Sequence, residues 1–255
     1  MAAGTIAGGV FLATLGGAWL GMMLGRILPV EHLSQESKDV ISLGSGFVAT
    51  MAALVIGLMV SSAKDAYDLR RDDIDEASIA VIQMDRLLAQ YGAEAGVARH
   101  ELEKMTRSWI HHFWRKSGQV APDFDPFAGG PPLSELVEKE IRALAPASDA
   151  QKHIQDEALD LMTDITKMRW TLFEEFGRST VPLPFLVVLG LWLSLIFASF
   201  GLFAPRNATV ASVFVICSLS AACSILLIVD LEEPFVGMLR LSDAPLVETL
   251  SHLGK

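Results

Sequence analysis

The stretch ISLGSGFVATMAALVIGLMVSSAKDAYDLRRDDIDEASIAVIQMDRLLAQY, residues 41–91, decides the fold. Its first part belongs to an uncharged window over residues 40–63, and no glycine or proline interrupts the chain between Leu58 and Tyr91. At about 1.5 Å per residue that window crosses a bilayer, so the stretch reads as one helix, half in lipid and half in water. Val60, Tyr67, Ile74, Val81 and Leu88 recur every seven residues across the junction, with Ala77, Met84 and Tyr91 in the second seam position of a heptad. Such a seam predicts partner helices, from the chain's own bundle or from symmetry mates.

Of the 255 residues 51% are hydrophobic and 20% charged, a balance that suits an integral membrane protein better than a soluble domain. Uncharged windows at 2–25, 40–63, 179–205 and 207–229 predict four membrane helices. The expected fold is all-α: helices 1 and 2 in 1–63, a cytoplasmic helical domain in 64–178, helices 3 and 4 in 179–229, and a C-terminal tail in 230–255. No basic residue precedes the first window, which is also too long for a signal-peptide core, so it reads as a retained helix. Lys64, Arg70, Arg71, Lys167, Arg169, Arg178 and Arg240 flank the windows on one side, against Arg26, Lys38 and Arg206 on the other. Basic residues mark the cytoplasmic face, so both termini and the 64–178 segment are expected there.

That segment holds 22 acidic and 15 basic residues, and the whole chain carries −10, a charge that argues against nucleic-acid partners. Leu102, Met105, Trp109 and Phe113 share a helical face, residues 118–132 read as a loop, and a short helix is expected over 133–144. A long helix then carries Ile154, Ala158, Leu161, Ile165, Met168, Leu172 and Phe176, and the set should pack as a bundle with the heptad seam as one wall. The acidic run Asp72, Asp73, Asp75, Glu76 suits a solvated helix face. The histidines lack ligand spacing, Cys217 and Cys223 point to different faces of one helix, and no phosphate loop or nucleophile elbow occurs. No catalysis, metal or cofactor is therefore expected.

In the first helix, Gly9, Ala13, Gly17, Gly21 and Gly25 form a ridge of small residues at every fourth position, with Val10 off it. Such ridges let helix backbones meet, and Gly17, Gly21 and Gly25 are the expected packing residues. The second helix carries a bulky stripe, Phe47, Met51, Leu54 and Leu58, and a small or weakly polar one, Ser42, Gly46, Ala49, Thr50, Ala53, Gly57 and Ser61. Either stripe could ring an axial pore; otherwise the bulky one meets lipid and the small one packs on a helix. With the bulky stripe on the axis, the small one is expected against the glycine ridge of helix 1. Asn207 follows a tight turn and reads as the N-cap of helix 4. Asp230, Glu232 and Glu233 close that helix and are expected to brace its exit against Arg70 or Arg71. As a metal clasp they would fall short of the six to eight oxygens that Ca²⁺ prefers.

The phrases FGLFAPRNATV (200–210), DLEEPFVGMLRLSDAPL (230–246) and VSSAKDAYDLRRD (60–72) resemble a family of bacterial four-helix membrane proteins labelled bestrophin-like, distantly similar to bestrophin ion channels. That resemblance implies several subunits around one axial pore, with the second helix lining it and bulky apolar side chains narrowing it. It implies an oligomeric ion channel in a bacterial inner membrane, whose partners are the bilayer, inorganic ions and further copies of the chain. Phe47, Met51, Leu54 and Leu58 are then the lining or gate, with Thr50 on the competing stripe, and an acidic vestibule would favour cations. The alternative is a non-conducting membrane scaffold or sensor whose cytoplasmic bundle binds a protein. No charged residue lies inside any window, which fits that alternative or a pore gated by apolar side chains. A transporter would need broken helices or an inverted repeat, and neither is visible.

Overall fold

A computed structural model describes residues 2–114, 133–175, 183–232, 235 and 237–254. The regular elements of these residues are all helical: α1 (Ala2–Ile27), α2 (Gln35–Tyr91), α3 (Gly96–Trp114), α4 (Leu133–Arg142), α5 (Asp149–Glu175), α6 (Leu183–Phe203), α7 (Ala208–Glu232) and α8 (Ala244–His252), with short 3₁₀ turns before α2 and α3. The loop expected over 118–132 and Phe176, the last apolar position expected on the long helix, lie outside the described residues.

Helix α2 begins at Gln35, six residues ahead of the quoted stretch, because Ser34 caps it: the Ser34 hydroxyl oxygen accepts the Ser37 N–H at 3.3 Å, and its carbonyl accepts the Lys38 N–H at 3.0 Å. The helix runs unbroken for 57 residues and stops at Tyr91, where Gly92 takes φ 129°, a conformation that a side chain would strain. Among the described residues, four helices are long and apolar enough to span a bilayer: α1, α2, α6 and α7.

The chain divides into two compact units, residues 1–67 with 179–239, and residues 68–178 with 240–255. In the first, α1 packs on α6 and α7. A Cβ at Gly17 would lie 2.5 Å from the Ser194 carbonyl oxygen and one at Gly25 2.6 Å from that of Leu202, while one at Gly21 would overlap the Ala198 carbonyl. Gly201 returns the arrangement, since a Cβ there would overlap the carbonyl of Ala18. Because the paired positions climb together along both helices, α1 and α6 run parallel. Two expectations are corrected here. The glycines of α1 meet the backbone of α6, not the small stripe of α2, and only from Gly17 onward: Gly9 and Ala13 are exposed. Val10, set off the ridge, is itself buried, at 8% exposure, in a core with Ala3, Ala52, Met59, Leu189, Ile225 and Ile228. On the other flank Ala18, Phe197 and Phe214 form a smaller cluster, with the two rings 6.3 Å apart between centroids. The Asn207 side-chain oxygen accepts the Val210 N–H at 2.8 Å and caps α7, and the Arg206 guanidinium donates to the carbonyl of Met22.

In the second unit Ile74, Ala77, Val81, Met84, Leu88 and Tyr91 are each at most 4% exposed. The chain fills this part of its seam with its own helices, which bury Leu102, Met105 and Trp109 of α3, Val137 and Ile141 of α4, and Ala158, Met162 and Ile165 of α5. Polar ties fix the register. Arg99 of α3 forms a two-pronged pair with Asp85 of α2 at 2.7 and 2.9 Å, the Gln151 amide donates to the Tyr91 carbonyl at 2.9 Å, and the Trp114 indole donates to the Leu241 carbonyl at 2.8 Å.

Candidate pore-lining helix

Within the apolar half of α2 three faces can be told apart. Ser45, Ala52, Met59 and Ala63, spaced seven, seven and four residues apart, are buried and hold the helix to the rest of its unit. Phe47, Leu54 and Leu58 are 68%, 65% and 62% exposed, Met51 is exposed as well, and Val40 and Leu43 extend the same bulky stripe toward the start of the helix. Ser42, Gly46, Thr50, Ala53, Gly57 and Ser61 are exposed too, and a Cβ at Gly46 or Gly57 would meet nothing within 4 Å. At about 100° per residue, the bulky and small stripes lie to either side of the buried face, each roughly a third of a turn away from it. The Thr50 hydroxyl donates to the Gly46 carbonyl at 3.0 Å, so its proton is already spent within the helix.

A ring of bulky side chains can close a narrow lumen by excluding water, with no charged plug. A stripe of glycine, alanine and serine instead permits close helix approach. The helix thus presents one surface suited to each task, both unfilled by its own chain among the described residues.

At the end of α7, Asp230 is buried and both of its carboxylate oxygens are engaged: one accepts the Met238 N–H at 2.9 Å, the other the Leu239 N–H at 2.8 Å. A Cβ at Gly237 would overlap that carboxylate, which explains the glycine. Asp230 therefore ties down the turn that follows its own helix. Glu232 is half-buried at the last residue of α7, and Glu233 lies outside the described residues. Among the described residues no three carboxylate, histidine or cysteine side chains converge as a metal site would require.

Sequence reasoning missed the charged groups inside the second unit. The Asp85 carboxylate, through its hydrogen bonds, holds the Arg99 guanidinium above the usual arginine range against the opposing pull of burial. Arg169 on α5 is buried and its pKa is pushed down by desolvation, an effect that the charge of Glu135 opposes; its guanidinium also lies 5.4 Å from the centre of the Trp170 ring. The signal was weak, since an arginine among charged residues reads as surface until its neighbours are known.

The Bestrophin-like domain matches residues 12–246 of the chain. This protein belongs to the bestrophin-like family. Its fold is similar to that of a single-substitution variant of a bacterial bestrophin homologue from Klebsiella pneumoniae, at 18% identity, with 95% of this chain and 93% of that one covered and a TM-score of 0.58. A further crystal structure, of a membrane protein variant, is similar at 18% identity, with 92% of this chain and 93% of that one covered and a TM-score of 0.52. No curated protein matches the sequence. Family membership and four apolar helices make this a membrane protein.

Proposed function

We propose that the chain is one subunit of an oligomeric ion channel in which copies of α2 surround an axial pore, with Phe47, Met51, Leu54 and Leu58 lining it. The observation that carries this reading is the pair of open faces on α2. Among the described residues, the rest of the unit covers the Ser45–Ala52–Met59–Ala63 face and leaves the bulky and small stripes open to something outside the chain. In a ring, each pore helix needs three contacts: its own chain, the lumen and a neighbouring subunit. Small residues suit the neighbour, where backbones approach, and bulky ones suit the lumen. The likeness to the bestrophin channels supports the axial arrangement.

In this reading α1, the first part of α2, α6 and α7 cross a bacterial inner membrane, and residues 64–178 form a cytoplasmic vestibule with both termini on the same side. The parallel course of α1 and α6 supports this, because a helix pair separated by an inserted cytoplasmic domain must leave the cytoplasm in the same direction. The basic residues at the membrane ends favour the same orientation. Reporter fusions at Gln35 and Gly129 should read on opposite sides of the membrane. The excess of acidic residues in 64–178 raises the local cation concentration and favours cation passage.

Recordings from planar bilayers test the lining. Leu54→Ala and Leu58→Ala widen an apolar constriction and should raise conductance or open probability, while Thr50→Val should leave both within about twofold. Altered permeation in Thr50→Val with both leucine variants unchanged would place the small stripe on the lumen. Silence from every variant and from the parent would favour a scaffold.

A further inference from the structure

A cavity of about 230 Å³ lies between the start of α2 and the end of α6, lined by Lys38, Ile41, Ser42, Ser45, Ser199, Phe200 and Phe203. Its chemistry is two-sided. The Ser45 hydroxyl donates to the Ile41 carbonyl at 2.8 Å and the Ser199 hydroxyl to the Leu195 carbonyl at 2.9 Å, so both present only oxygen lone pairs to a ligand. Donors come from the other side: the Lys38 ammonium, which has no ion-pair partner among the described residues, and the Ser42 hydroxyl. The adjacent acid, Asp39, is engaged by the Gln35 amide at 2.8 Å. An occupant that satisfies the site must bring an anionic acceptor for Lys38, hydroxyl donors for Ser45 and Ser199, and an apolar portion for Ile41, Phe200 and Phe203.

We propose that this cavity holds the headgroup of an anionic glycerophospholipid of the phosphatidylglycerol type. The phosphate meets Lys38 and Ser42, the glycerol hydroxyls donate to the serine oxygens, and the acyl chains leave along the exposed apolar surface of Phe200 on α6. Size agrees with a headgroup and not a whole lipid, since cavities for complete small ligands begin near 300 Å³. The choice of lipid over a free anion rests on the membrane placement given above. Lys38 lies just outside one uncharged window and Phe203 just inside the end of another, which is where aromatic and basic side chains meet headgroups.

Native mass spectrometry on the full-length protein in detergent, titrated with phosphatidylglycerol and phosphatidylcholine, tests the site without any reference to current. The parent should prefer phosphatidylglycerol by about fivefold, the scale of one lysine near an anionic surface. Lys38→Gln should abolish that preference, Ser199→Leu should abolish it by filling the cavity while leaving Lys38 in place, and Lys152→Gln, an exposed lysine on α5, should retain it. A preference that survives both Lys38→Gln and Ser199→Leu overturns the proposal, as does equal binding of the two lipids by the parent. Inorganic phosphate that displaces the lipid at equal concentration assigns the cavity to a free anion and also overturns it. Indifference to both lipids would count against the membrane placement itself, whereas a non-conducting protein with an intact lipid preference would remove the channel reading alone.

Discussion

Asp85 is 2% exposed on a helix whose neighbouring seam positions are all apolar, and its two oxygens face the Arg99 guanidinium. Such a pair contributes little by replacing water, but the loss of one partner strands the other in a dry setting. Asp85→Ala should therefore lower stability by about 2–3 kcal/mol, near the low end for buried pairs because the arginine keeps part of its surface in water. Thermal melts of the two single variants and the double variant in detergent check this, and the double should cost clearly less than the two singles summed. Since the pairing raises the Arg99 pKa, its contribution is complete below the ordinary arginine value and fades only as strongly alkaline pH passes the raised one; no variation is expected across neutral pH. The pair was not legible in the sequence because its members are 14 residues apart across a turn, and charge spacing along one helix cannot announce a contact between two. The same holds for Asp230, whose proximity to the turn at 237–239 depends on Gly237 admitting its carboxylate.

Among the elements, α2 was the most legible. A seven-residue apolar repeat without glycine or proline forces a long helix, and the seam positions from Ile74 to Tyr91 are all buried. Helix α1 was half legible: small residues at every fourth position say that a backbone comes close, not whose. The partner signal was present in α6, where Gly190, Ser194 and Ala198 share the same spacing. Gly21→Leu and Gly8→Leu separate a crossing point from a merely small position. At Gly21 any side chain overlaps backbone of α6, whereas at Gly8 it meets nothing within 4 Å. The first should destabilise by about 1–3 kcal/mol or more and the second should be near neutral, read as midpoints of thermal unfolding in detergent.

For the whole molecule, family membership and apolar helices agree on a helical membrane protein, and among the described residues both exposed stripes of α2 are left uncovered. Composition and window length made the apolar helices legible, and the phrases around Asp230 and Phe200 made the family legible. What the sequence could not decide is which stripe of α2 faces what. Both flank the buried face of α2, and no intrachain pattern tells one from the other. The most direct measurement is an image of the purified full-length particle in a lipid nanodisc, resolved to the level of side chains. The account predicts a closed ring of identical subunits around a continuous axial hole, with Phe47, Met51, Leu54 and Leu58 of every α2 facing that hole and Gly46, Thr50 and Gly57 against the neighbouring subunit. A single chain, or a ring with lipid or protein filling its axis, would contradict it.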